Sequence, residues 1–257
     1  MTKSTNEYYI VCGATSGFGG AVAKQLIQEG HNILAVARNG DNLEALKNEY
    51  PEQVDYIAGN LAQQETLKNI EEKVKSSYLN GIFLNSGGPP AKSIEETTMG
   101  DWDEAYQGLF RWKIELTKML IPKFRQQEYG RILFLESSSV KQPIENLVLS
   151  TSLRLGVVGY AKTLSEEMAD KGITVNILAP GFHDTNALKR LFVKKAESQG
   201  ISEDEAREEF INNTKVGFIG DPADLASLAA WLLSQNSRYI TGQTISVDGG
   251  VIKGVFG

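Results

Sequence analysis

Cysteine, histidine and proline are all scarce in this chain: one, two and seven in 257 residues. A single cysteine excludes an intrachain disulfide. With only two histidines beside it, the usual ligands of a structural zinc site are missing, and no metal is expected. Positive charge is also short. The 26 lysines and arginines stand against 32 acidic residues, a net charge of −6, which argues against nucleic acid or an anionic membrane as partner. No apolar run is long enough to span a bilayer. The opening Met1-Thr2-Lys3-Ser4-Thr5-Asn6-Glu7 is polar and runs straight into an apolar stretch, so no signal peptide is expected and the cytoplasm is the default compartment. What is present is ordinary for a globular chain, 41% hydrophobic and 23% charged, with length for one large α/β core and too little for two.

The most informative stretch runs from Tyr8 to Glu29. Tyr8 to Cys12 reads as a buried strand, Gly13-Ala14-Thr15-Ser16-Gly17-Phe18-Gly19 as a tight loop, and Ala21, Val22, Leu26 and Ile27 recur at helical spacing. A helix that starts on a glycine loop offers unpaired N–H groups and a positive dipole end, which suits the pyrophosphate of a dinucleotide. Side chains at Gly13, Gly17 or Gly19 would obstruct the turn, the approach of phosphate or helix-on-strand packing. Further strands are predicted over 32–37, 54–58, 81–85, 131–135, 174–178 and 243–247. Helices are predicted over about 40–50, 63–77, 101–127, 147–170 and 222–233, with two short ones before the last and a possible bend at Pro122. Strands alternating with helices predict a single-domain, Rossmann-type doubly wound parallel sheet with helices on both faces, one domain over 1–257.

Ligands of such sheets bind beyond the carboxyl ends of the strands. Arg38 follows the second strand, where a carboxylate would grip the ribose hydroxyls of NAD(H). A guanidinium there suits a 2′-phosphate, so NADP(H) is preferred, with NAD(H) possible. Ser16 adds no second positive charge.

Gly13-x-x-x-Gly17-x-Gly19, Asn85-Ser86-Gly87-Gly88, Pro180-Gly181 with Thr185, and the ending Tyr239-Ile240-Thr241-Gly242-Gln243 through Val247-Asp248-Gly249-Gly250 occur together. Over nearly its whole length the chain resembles the short-chain dehydrogenases/reductases, of the β-ketoacyl carrier-protein reductase-like kind. The resemblance implies a nicotinamide-dependent oxidoreductase acting on a carbonyl or acyl substrate. It places the cofactor against Gly13, Thr15, Ser16, Gly17, Phe18 and Gly19. Asn60 and Leu61 would flank the adenine, Asn85, Ser86 and Gly87 would line the cleft, and Pro180, Gly181 and Thr185 would reach the nicotinamide end. Phe182 to Val216 would be the substrate lid, and a homotetramer or dimer would bury Trp112, Leu116, Met119, Leu120, Leu153, Val157 and Val158; a thicker core within one chain is the alternative.

The family's Asn-Ser-Tyr-Lys set is broken here. Counting without gaps puts Leu109, Ser137, Ser150 and Arg154 at those places; only Ser137 keeps the family's residue. The expected roles are Ser137 polarising the carbonyl, Ser150 adding a hydrogen bond and Arg154 clamping the ribose. Tyr160 is no substitute, lying about 80° around the helix from Ser150. Other proton sources to weigh are His183 and Glu136, the latter expected to face away from the cleft as a strand neighbour of Ser137. Ser138 and Ser139 are expected to cap and turn the chain. The alternative to an enzyme is a catalytically inactive nucleotide-binding sensor or partner subunit.

Overall fold

Apolar side chains on both faces of a strand require cover on both faces, and β5 (Gly130–Leu135) and β6 (Ile173–Pro180) are buried along their entire lengths. They belong to a seven-stranded sheet of order β3-β2-β1-β4-β5-β6-β7, with every pairing parallel. The other strands are β1 (Glu7–Cys12), β2 (Asn32–Ala37), β3 (Val54–Ala58), β4 (Tyr78–Leu84) and β7 (Thr244–Val247). The structure, a computed structural model, describes residues 7–255. The polar opening at positions 1–6 lies outside the described residues, as do positions 256 and 257.

Nine α-helices are found among the described residues: α1 (Gly17–Gln28), α2 (Gly40–Glu49), α3 (Gln64–Val74), α4 (Met99–Ala105), α5 (Trp112–Gln127), α6 (Val148–Met168), α7 (Asn186–Gln199), α8 (Glu203–Asn213) and α9 (Pro222–Leu233). The period-2 alternation of β1 divides the core. Tyr9 and Val11 join Leu26 and Leu225 on the face covered by α1 and α9. Ile10 and Cys12 join Leu67, Leu116 and Val157 on the face covered by α3, α5 and α6. A separate small cluster of Leu188, Phe192, Ala196 and Ala206 holds α7 to α8. This is the single-domain Rossmann-type architecture that the strand–helix alternation predicts. Strand order reverses between β1 and β4, so a crevice opens there beyond the strand ends.

Two expectations need correction. The helix predicted over 101–127 is not one helix with its irregularity at Pro122. Pro122 lies inside an uninterrupted α5, and a π-helical turn over Tyr106–Arg111 separates α4 from α5. The indole N–H of Trp112 donates to the Gly108 carbonyl within this turn, 2.9 Å. Secondly, the stripe expected to meet another subunit is largely spent on this chain's own core. Trp112, Leu116, Leu120 and Val157 are all buried within it.

Cys12 ends β1 with no exposure, and burial pushes its thiol up to about 12. At pH 8 only about one thiol in ten thousand would be ionised. An aromatic disulfide reagent should therefore leave the native protein unmodified and label one thiol per chain in urea. Rapid labelling of the native protein would contradict this burial.

Candidate active site

The glycine loop joins β1 to α1 as an anion cradle requires. Gly13 sits at φ +71°, which an L side chain seldom adopts. A Cβ on Gly19 would lie 2.1 Å from the Gly13 carbonyl oxygen and 2.9 Å from Asn85 Nδ2. Asn85, just beyond β4, is thereby held against the loop across the β1–β4 crevice. Gly17 faces Thr185, whose Cγ2 is 3.7 Å from the position a Cβ would take. Thr185 caps α7 by accepting from the Leu188 N–H, 3.3 Å. Thr15 is half-buried in the loop, Phe18 half-buried in the first turn of α1, and Ser16 is exposed at the N-cap of α1, its side chain making no capping bond. The N–H groups at the start of α1 are thus left to an outside acceptor.

The remaining cofactor candidates ring the same crevice. Arg38 is exposed just after β2 and has no ion-pair partner among the described residues. Asn60 shapes its own turn, its Oδ1 accepting the Ala62 N–H at 3.0 Å, while Leu61 packs on the α3–α5–α6 core. The Ser86 hydroxyl is buried with no hydrogen-bond partner, whereas Gly87 is exposed. Pro180 ends β6 buried. Gly181 follows where a Cβ would meet Asp248 at 2.7 Å. Glycines a Cβ would choke, open helix N–H groups and an orphaned hydroxyl all fit a dinucleotide.

Beyond β5 lies a second constellation. Ser137 Oγ accepts the Ser139 N–H at 3.1 Å and caps a short 3-10 turn over Ser138–Val140. The capping role expected of Ser138 and Ser139 therefore falls to Ser137, and the Ser139 hydroxyl is buried without a partner. Ser150 and Arg154 are one turn apart on α6, and Arg154 Nε donates to Ser150 Oγ at 3.0 Å. Arg154 Nη1 donates to the Leu135 carbonyl at 3.4 Å and to Glu136 Oε2 at 3.0 Å. Its Nη2 stands 3.7 Å from where a Cβ on Gly88 would be, so it is turned toward the loop after β4.

Glu136 does not turn away from the site as expected. Its side chain is wholly buried between Arg154 and Lys113 Nζ, the latter 2.5 Å from Oε1. The alternation of β5 itself holds: Ile132 and Phe134 point into the core under α5 and α6, and Glu136, whose N–H still bonds the Leu178 carbonyl, takes the same face, which is the one that carries Arg154. Leu109, at the place counted for the family's Asn, is buried in the π turn. Lys113, one turn further on, is the polar group that reaches the site. No motif marks it. The available signal is a lysine inside the apolar stripe of Leu109, Leu116, Leu120 and Phe124.

His183 and Tyr160 are otherwise engaged. His183 is buried edge-on to Phe18, ring centroids 5.0 Å apart, and against Gly220, and burial lowers its pKa below 6.5. Tyr160 shares a 2.8 Å hydrogen bond with Thr117 and packs on Phe134. Next to Ser150, Thr151 lines a cavity of about 500 Å³ with Ile94, Pro143, Ile144 and Val148, with Lys92 and Glu95 among its polar lining.

Comparison with known proteins follows this geometry. A family model described as enoyl-(acyl carrier protein) reductase matches residues 13–252. The chain is similar to the NADPH-dependent reductase BacG of Bacillus subtilis, 29% identical over 99% of this chain and 100% of that protein. It is also similar to the 3-oxoacyl-[acyl-carrier-protein] reductase FabG of Rickettsia prowazekii, 29% identical over 98% and 99%. Among solved structures, YwfH, an NADPH-dependent reductase involved in bacilysin biosynthesis, superposes with TM-score 0.92 at 27% identity, covering 97% of this chain and 100% of that one. An actinorhodin polyketide ketoreductase with NADPH gives 0.91 at 24% identity, covering 98% and 99%, a likeness of fold. With the match spanning nearly the whole chain, and the glycine cradle and strand order in place, the chain belongs to the short-chain dehydrogenase/reductase family.

Proposed function

We propose that this protein is an NADP(H)-preferring carbonyl reductase whose active site is built without the family's Tyr-x-x-x-Lys pair. One observation carries the reading: both candidate hydroxyls have an acceptor site filled by the protein itself. Ser137 Oγ takes the Ser139 N–H and Ser150 Oγ takes Arg154 Nε, which leaves each O–H to donate outward. Two such donors polarise a ketone and hold the oxygen anion that develops on it. A reduced nicotinamide, when bound, would supply hydride to the carbonyl carbon, and the oxygen held by Ser137 and Ser150 would take its proton from water.

Gly13 to Gly19 would hold the pyrophosphate, Arg38 a 2′-phosphate, and Asn85, Ser86 and Thr185 the nicotinamide half. Arg154 Nη2 is the nitrogen left to reach a ribose hydroxyl or the substrate oxygen. Ile94, Pro143, Ile144 and Val148 in the cavity beside Ser150, with α7 and α8 as a lid over 182–216, suit an acyl or other ketone with an apolar portion. NADPH use by BacG and YwfH is in keeping with the same cofactor here.

The test is oxidation of NADPH and NADH by the purified protein with β-ketoacyl thioesters, diketones and quinones. Turnover should favour NADPH, and Arg38→Asp should reduce that preference at least tenfold, the value of about 1.4 kcal/mol for a charge-assisted contact to phosphate. Nucleotide binding with no turnover on any substrate would replace the reductase with the sensor or partner-subunit reading.

A further inference from the structure

Lys113 is a buried charge that no role above uses. Its side chain has no exposure and its ammonium lies on Glu136 Oε1, while Arg154 occupies Oε2. Two cations thus share one carboxylate. Glu136 already has a charge partner in Arg154, so burying a lysine as well has a desolvation cost that an apolar residue of similar volume would avoid. The expense has a consequence at the cleft. A Glu136–Arg154 pair alone sums to zero, and a carboxylate 3.0 Å behind the guanidinium would offset its field. With Lys113 the trio sums to +1. Arg154 is the member that keeps some exposure, is directed toward Gly88, and holds the Ser150 hydroxyl.

We infer that Lys113 is a positioning residue that neutralises Glu136 from behind, so that Arg154 and Ser150 present an uncancelled positive charge to an oxygen anion in the cleft. For the reductase proposed above, on which the catalytic part of this inference rests, that anion is the alkoxide oxygen of the reduced ketone. No bond is made or broken by Lys113 itself.

The arrangement has a pH signature. The titratable and charged groups facing Lys113 are Glu136 from the end of β5, Arg154 from α6 and Cys12 from the end of β1, with the Trp112 ring 5.9 Å from its ammonium. Cys12 stays a neutral thiol until about pH 12. Burial, only partly opposed by Glu136, brings Lys113 below the usual 10.5. Below its pKa the trio carries +1. As pH rises through it the trio falls to zero, and affinity for an anion falls with it.

Benzoate serves as the probe, since its carboxylate stands in for the alkoxide and needs no turnover. Its dissociation constant is measured by calorimetry on the full-length protein, with and without NADP⁺, across pH 6 to 10.5. Wild type should lose affinity toward the alkaline end. Lys113→Met should bind benzoate roughly tenfold more weakly at pH 7 and show no such limb, a smaller effect than the ~10²–10³ in rate lost with a donor in direct contact. Lys113→Met/Glu136→Gln, which returns the net charge to +1, should recover to within about threefold of wild type, and kcat with a turned-over ketone should follow the same order. A residue that only supports the fold would make the double variant worse than the single. Equal benzoate affinity in Lys113→Met and wild type, or no recovery in the double, would overturn the inference. If Lys113→Met does not fold, a flat wild-type pH profile overturns it as well. The benzoate pattern without ketone turnover would leave the charge assignment standing and sink the reductase reading alone; turnover without the pattern would do the reverse.

Discussion

Gly19→Ala should abolish dinucleotide binding, with a loss of at least a hundredfold in NADPH affinity, and should also destabilise the fold by about 1–3 kcal/mol through overpacking. The added methyl would lie 2.1 Å from the Gly13 carbonyl oxygen and 2.6 Å from its carbon. Both are backbone atoms of the turn and cannot rotate away, so the loop or α1 must move. Either movement would misaim the N–H groups offered to the phosphates of the proposed cofactor. The adjacent glycine supplies the control. A Cβ on Gly20 meets nothing closer than 3.4 Å, and its position in α1 gains about 0.5–1 kcal/mol from alanine. Fluorescence titration with NADPH and urea unfolding of both variants make the comparison. If Gly19→Ala bound NADPH as wild type does, the cradle would not be where the cofactor sits.

The contrast between these two glycines shows what a sequence can and cannot convey. The cradle was legible because its signal is local: apolar run, glycines and helical spacing follow one another within β1 and α1. The adjacency of Ser150 and Arg154 was legible for the same reason, since residues one helical turn apart share a face. The parallel sheet followed from strand–helix alternation. Lys113 was not legible. The π turn over Tyr106–Arg111 sits inside a stretch that reads as continuous helix, and a gapless count stopped at Leu109. Glu136 was misjudged because alternation says only that it faces opposite to its neighbours; that its face, shared with Ile132 and Phe134, is the one to which α5 and α6 bring Lys113 and Arg154 depends on helices distant in sequence. Trp112, Leu116 and Leu120 suggested an interface because an apolar helix stripe does not say which surface covers it. In each of these cases the deciding partner is distant in sequence, as Glu136 is from Lys113.

Glu136→Gln tests that distant partnership as a matter of stability. It removes the one negative charge between two cations that have almost no access to water, Lys113 at 0% and Arg154 at 7% side-chain exposure. Glutamine keeps the volume and one acceptor oxygen, so lost packing contributes little and the charge dominates. Breaking a buried ion pair from one side costs about 3–5 kcal/mol, and urea unfolding of Glu136→Gln should show a loss in that range. The exposed pair Arg111–Glu115 gives the scale for a pair left in water: Glu115→Gln should cost about 0–1 kcal/mol. The decisive variant adds Lys113→Met to Glu136→Gln. If the penalty is the mutual repulsion and desolvation of two unpaired cations, removing one of them must return part of it, a coupling of about 0.5–3 kcal/mol. If it were instead the loss of well-fitted side chains, a second substitution in the same buried volume would add to the first. A double variant less stable than Glu136→Gln alone would mean that Lys113 and Glu136 are held by packing, with their charges incidental to the fold.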